Sequence, residues 1–157
     1  MLSALWLREP VQGRGVFLGR FAFTVDSKGR LAIPARFRAG LTNGLVLTRG
    51  VDPCLALYPM EAWTPLAARI DALSIADSDT RAFRRLVFAE AADLELDSQG
   101  RILVPAALRD YAGIERDAVV IGVHSFVEVW SADRWERHAE RAAIDPSELA
   151  HRLANLI

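Results

Sequence analysis

A chain of 157 residues that is 52% hydrophobic is long enough for one substantial core or for two small interlocked ones. No apolar run reaches the roughly 18 residues needed to span a membrane, and a single cysteine excludes an internal disulfide framework and fits a reducing cytoplasm. A formal net charge of −1 excludes a uniformly basic nucleic-acid binder, so any such function must rest on a local patch.

Residues 1–15 contain Leu2, Leu5, Trp6 and Leu7, but Arg8 and Glu9 cut the run short of a signal-peptide core. Val16 is expected as the native start, because valine codons such as GUG initiate in bacteria. From there Phe21, Phe23 and Val25 alternate with Ala22 and Thr24, the period of a half-buried strand. Asp26-Ser27-Lys28-Gly29 supplies a tight turn: the Asp side chain accepts backbone N–H groups and Gly29 takes positive φ at little cost. Arg30 to Ile33 resumes the alternation, so the segment predicts a β-hairpin, which Pro34 ends for want of an N–H. A short helical turn running to Gly40 follows, then strands over 45–48 and 54–58. Thr64-Pro65 reads as an N-cap with proline at the first helical position, an earlier turn of the same helix over Pro59 to Trp63 is left open because Pro65 would break it, and a second helix is expected over 78–88.

The chain then repeats itself. Residues 97–109 match residues 26–38 at a constant offset of 71, with seven of thirteen positions identical, and Leu31/Ile102, Ile33/Val104 and Phe37/Leu108 exchange one apolar residue for another. Ala92, Leu94 and Leu96 lead into Asp97-Ser98-Gln99-Gly100, and Pro105 ends the strand that follows. Strands near 119–122 and 126–130 correspond to the earlier pair at an offset of 72, and Trp135 corresponds to Trp63. Ser131 is a helix cap, and Asp145-Pro146-Ser147-Glu148 is a capping box for a last helix with Leu149 and Leu153 on one stripe. Two copies of one supersecondary unit packed on each other are therefore expected. The organisation is a 1–15 extension, a first unit at 16–63, connecting helices at 64–87, a second unit at 88–135 and a helical tail at 136–157.

The two copies differ in charge. Between positions 20 and 49 six cations face one carboxylate, whereas between 91 and 120 three cations face six carboxylates. A locally basic face on a near-neutral chain is a phosphate-binding footprint. On the 28–33 strand Lys28, Arg30 and Ala32 share one face, and Leu31 and Ile33 the other. A two-stranded ribbon fits the major groove of B-DNA, where Arg30 can offer two parallel N–H bonds to guanine O6 and N7 or grip a phosphate. The competing role for Arg30 is a pair with Asp26 across the hairpin. Lys28, Arg36, Arg38 and Arg49 are further DNA-contact candidates, and Arg101 a weaker one. Asp26, Gly29, Asp97 and Gly100 are assigned to turn structure. Catalysis finds little support. His124, His138 and His151 show no metal spacing with Cys54, there is no glycine-rich phosphate loop, and a Cys54–His124 pair is disfavoured because a lone cysteine before Leu55-Ala56-Leu57 reads as a small apolar residue. No metal, cofactor or small-molecule substrate is expected.

Asp26-x-x-Gly29-Arg30-Leu31-x-Ile33-Pro34 with Phe37-Arg38 resembles the swapped-hairpin fold of AbrB and of MazE-type antitoxins, which carry one copy per chain. Two copies in one chain, with Gly44-Leu45-Val46-Leu47-Thr48-Arg49-Gly50, Leu57-Tyr58-Pro59, Arg81-Ala82-Phe83-Arg84-Arg85 and Gln99-Gly100-Arg101-Ile102, resemble the MraZ family. That resemblance implies an α+β protein of two tandem AbrB-like units forming a pseudo-two-fold barrel with flanking helices. It implies a cytoplasmic, nucleoid-associated DNA-binding regulator, usually a repressor of its own promoter and of the division and cell-wall gene cluster. It further implies a homo-oligomeric ring reading short repeated boxes in double-stranded DNA, with an Asp-x-x-x-Arg motif in each half. The alternatives are a regulator of the AbrB or antitoxin kind and a non-enzymatic ring that binds a protein. Gln99 in place of Lys28 and Ala107 in place of Arg36 weaken the second turn as a phosphate binder.

Overall fold

In the computed structural model the described residues are 16–142, 145–154 and 156. The expectation for residues 1–15 lies outside them. The first unit contributes β1 (Phe17–Thr24), β2 (Arg30–Ala32), α1 (Ala35–Arg38), β3 (Leu45–Arg49) and β4 (Leu55–Pro59), followed by the helices α2 (Met60–Asp71) and α3 (Ser78–Phe88). The second contributes β5 (Ala92–Leu94), β6 (Arg101–Leu103), α4 (Ala106–Ala112), β7 (Asp117–His124) and β8 (Val127–Ser131), followed by α5 (Ala132–Ala142) and α6 (Pro146–Leu153). This is the α+β repeat architecture expected from the sequence.

The strands are exchanged between units. One antiparallel sheet runs β1-β7-β8-β4-β3-β5, so the first strand of each unit lies against the third strand of the other. Its two halves mirror each other about the β4–β8 pair. The second sheet is a ribbon of β2 and β6 alone, registered Arg30↔Leu103, Leu31↔Ile102 and Ala32↔Arg101. Among the described residues a single Val25↔Leu31 bridge joins the first strand to its own hairpin partner. The expected local hairpins are thus closed at their turns and opened beyond them. Among the described residues no ladder joins β1 to β5; sheet, ribbon and short helices together enclose one core.

Burial explains the exchange. Leu31, Ile33, Ile102 and Val104 are fully buried on the inner face of the ribbon, with Phe37 and Leu108 beneath them from α1 and α4. Phe37 meets Phe17 and Phe21 edge-on, at centroid distances of 5.3 and 5.4 Å, an arrangement aromatic quadrupoles favour. Neither unit contains enough of this surface to close a core alone, and pairing β2 with β6 merges the two half-cores.

The first helical turn ends near Gly40, as expected: α1 continues into a 3₁₀ turn over Ala39–Leu41, and the left-handed residue is Gly44. In the second unit α4 ends at Gly113 with φ 66°, as expected. The helix after β4 begins at Met60 and not at Thr64, with Pro65 inside it. An internal proline removes one helical hydrogen bond. Starting at Met60, however, lets Trp63 pack on Tyr58 and Phe88, at 5.8 and 5.9 Å between centroids. The remaining caps follow the sequence: the Asp77 carboxylate accepts from Asp79 N–H, Ser131 Oγ from Arg134 N–H, and the Asp145 carboxylate from Ser147 N–H. The tail helix α6 buries none of its residues, and among the described residues no helix is long and apolar enough to cross a membrane.

The interlock reaches to single atoms at the turns. Gly29 and Gly100 adopt φ of 86° and 73°, and each lies under an arginine of the other unit. A Cβ at Gly29 would stand 3.1 Å from the Arg109 guanidinium, and one at Gly100 would overlap the Arg38 guanidinium outright. Gly100→Ala is expected to destabilise the protein by about 1–2 kcal/mol, read as a fall of several degrees in a circular-dichroism melt. Gly40→Ala, at a helical position without positive φ, is expected to be neutral or stabilising. Equal effects of the two would contradict the interlock.

Candidate nucleic-acid interface

Each turn is built by one aspartate. Asp26 Oδ1 accepts from the backbone N–H of Lys28 and of Arg30, at 3.0 and 2.9 Å, and Oδ2 accepts from Arg30 Nε at 2.7 Å. Asp97 repeats this with Gln99 N–H, Arg101 N–H and Arg101 Nε, all at 2.9 Å. Gly29 and Gly100 donate to the carbonyls of Asp26 and Asp97, each at 3.0 Å. The units are then stitched reciprocally: Ile33 N–H donates to Gly100 O at 2.9 Å, and Val104 N–H to Gly29 O at 2.8 Å.

A second pair of arginines completes the surface. Arg38 Nε donates to Ile33 O at 3.0 Å, and Arg109 Nε to Val104 O at 3.1 Å. Arg30, Arg38, Arg101 and Arg109 therefore share one mode of restraint. Each is held through Nε, and none of their terminal Nη groups has a partner among the described residues. A guanidinium fixed in this way presents its two-pronged edge, the part that matches a phosphate or the Hoogsteen edge of guanine. The pairing of Arg30 with Asp26 and a role in binding are thus compatible, because the carboxylate occupies only one edge of the group.

The outer face of the ribbon carries Arg30, Ala32, Arg101 and Leu103, and Lys28 stands exposed at the first turn. Arg38 and Arg109 lie over the turn glycines Gly100 and Gly29, so the ribbon and its turns together carry four arginines and Lys28 against the two turn aspartates. Arg36 is exposed on α1 with no partner among the described residues. Arg49 is placed differently: its Nε and Nη2 both engage Glu90, at 2.5 and 2.6 Å, and its Cζ lies 4.4 Å from the centre of the Tyr111 ring. Glu90 holds the Arg49 pKa above its usual value, and Arg49 holds the Glu90 carboxyl below its own. One whole edge of that guanidinium, Nε with Nη2, is therefore occupied by Glu90. Sequence reasoning passed over Arg109, although it is one of the seven positions shared by the two copies.

The Asp26 carboxyl is held down at about 2, foremost by the Arg30 backbone N–H, then by the Arg30 side chain, the Lys28 backbone N–H and the guanidinium charge. Asp97 is lowered for the same reasons, led by the Arg101 backbone N–H. Cys54 offers no nucleophile: burial, with lesser contributions from Glu128 and Asp52, pushes its thiol up to about 12. His124 sits exposed at a left-handed position with φ 72°.

Two copies of one strand–turn–strand–helix unit in a single chain, with exchanged first strands and arginine-flanked turns, define a tandem swapped-hairpin protein. A family model described as "MraZ protein, putative antitoxin-like" matches it twice, over residues 16–86 and 87–156. The chain is 58% identical over 142 residues to the transcriptional regulator MraZ of Thermomicrobium roseum, covering 90% of this chain and 100% of that protein. It is 55% identical over 139 residues to the transcriptional regulator MraZ of Herpetosiphon aurantiacus, covering 88% and 97%, and 46% identical over 141 residues to that of Pelotomaculum thermopropionicum, covering 90% and 97%. The chain belongs to the MraZ family.

The turn aspartates set an acid limit. For Asp26, a folded pKa of about 2 against an unfolded value of about 3.9 means that its stabilisation is complete above about pH 4 and is lost as the pH falls through about 2, and the lowered Asp97 carboxyl adds to the loss in the same direction. Denaturant unfolding of the wild type is expected to weaken across that window, and the Asp26→Asn/Asp97→Asn variant to weaken less. An identical acid profile for the two proteins would contradict the assignment.

Proposed function

We propose that this chain is a sequence-specific, non-enzymatic DNA-binding transcriptional regulator, working in the cytoplasm on the nucleoid. The observation that carries this reading is the β2–β6 ribbon and its two turns, where Arg30 and Arg101 on the ribbon's outer face and Arg38 and Arg109 over the turn glycines are all restrained at Nε, with their Nη groups unpartnered among the described residues. The relatives' naming as transcriptional regulators supports it. The ribbon enters the major groove, with Arg30 and Arg101 at base edges and Lys28, Arg36, Arg38 and Arg109 at phosphates. Asp26, Gly29, Asp97 and Gly100 act indirectly, by shaping the turns. Arg49 stays out of the contact set and ties β3 to the segment after α3.

One subunit offers a single modest basic surface. Head-to-tail association into a closed ring lines several up, and short repeated boxes in double-stranded DNA then bind with avidity. The target is its own promoter together with the division and cell-wall gene cluster, and the outcome is repression. The repeat units at 16–63 and 88–135 supply the interlocked body, the helices at 64–87 and the tail at 136–157 the surfaces for assembly.

Binding to a duplex from the region upstream of its own gene is expected to fall steeply with salt through counterion release, and to exceed binding to an unrelated duplex. Arg30→Ala is expected to lower affinity for the upstream duplex about tenfold and to relax the preference for it over the unrelated duplex. Asp26 Oδ1 keeps its two backbone bonds in that variant, so the melt should persist. Arg49→Ala should lower the melting temperature and leave affinity unchanged. Equal, weak binding of the wild type to both duplexes would refute the regulator reading.

A further inference from the structure

The outer face of the ribbon holds one residue that electrostatics does not explain. Leu103 is 57% exposed, although it is paired in the ribbon directly opposite Arg30. Its counterpart in the first unit is Ala32, opposite Arg101. Alternation places Leu103 outward of necessity, because Ile102 and Val104 on either side of it are buried. A strand position on a solvated basic face ordinarily takes a polar residue. A leucine held between arginine forks by the β2–β6 register is instead an apolar probe fixed at the same depth as the forks.

We infer that Leu103 is a specificity-determining residue that reads the C5-methyl group of thymine beside the base engaged by Arg30. The inference rests on the DNA-binding reading above and deepens it. In the major groove thymine is the base that presents an apolar group, and apolar side chains are its match. Arg30 and Leu103, paired across the ribbon, together select a guanine and a thymine at neighbouring positions. Because Ala32 and Leu103 differ, as do Lys28 and Gln99, the outer face is not two-fold symmetric although the backbone beneath it is. The box read by one ribbon is therefore directional and not palindromic.

The test is a cycle across protein and DNA. Wild type and Leu103→Ala are titrated with the duplex from upstream of the gene, once with thymine and once with uracil at every thymine position, which deletes only the methyl groups. Loss of a buried methyl contact predicts that the wild type binds the uracil duplex about three- to tenfold more weakly. Leu103→Ala should bind the thymine duplex with a similar loss and should be insensitive to uracil. A wild type indifferent to uracil overturns the inference, as does a variant that keeps the full uracil penalty. If Leu103→Ala changes the oligomeric state while the uracil penalty remains, Leu103 belongs to a contact between copies and the inference is equally overturned. A wild type that selects neither duplex over an unrelated one removes the regulator reading itself, a result distinct from the other three.

Discussion

The Leu31↔Ile102 pair is where the two units become one body. It lies at the middle of the β2–β6 ribbon, its side chains fully buried, and the bonds on either side of it are reciprocal: Ile33 to Gly100 and Val104 to Gly29. Each turn is closed by its own aspartate but covered by an arginine of the other unit. Separating the ribbon would expose both half-cores and strip both turns at once. Stability and the candidate interface are consequently the same object, and a variant that opens the ribbon loses both.

The electrostatics follow from that geometry. A chain with net charge −1 cannot rely on its overall field to gather DNA. It concentrates cations on one small face and fixes their orientation in advance. Holding a guanidinium by Nε removes much of the side-chain freedom that binding would otherwise have to restrict. The turn carboxylates would repel phosphate if bare, but three donors occupy each of them. Arg49 shows the contrast: the same residue type, with Nε and Nη2 both engaged by Glu90, is a tie within the fold.

Much of this was legible in the sequence because the information was local. Asp-Ser-x-Gly-Arg specifies a turn by its own chemistry, alternation specifies which side chains face inward, and the recurrence of both after 71 residues specifies two units. The exchange was not legible in the residues themselves. A local hairpin and an exchanged one bury the same faces and use the same turn, so the pattern fixes the face and not the partner; the likeness to swapped-hairpin proteins supplied it. The tie between Arg49 and Glu90 is not legible locally, because the two lie 41 residues apart. Arg109 was passed over because its neighbourhood in sequence is acidic, whereas in space it lies over the Gly29 turn of the basic copy. The start of α2 is ambiguous in the sequence, because Thr64-Pro65 is a sound capping signal locally while the preceding turn is decided by the packing of Trp63 on Tyr58 and Phe88.

The central claim is that oriented guanidinium forks, and not positive charge alone, make this face selective. The most direct measurement compares wild type with Arg30→Lys/Arg101→Lys on the upstream duplex and on an unrelated duplex across a range of salt. Lysine keeps the charge and loses the fork. The expected result is a salt slope close to that of the wild type together with loss of preference for the upstream duplex. Retention of that preference by the lysine variant would contradict the claim.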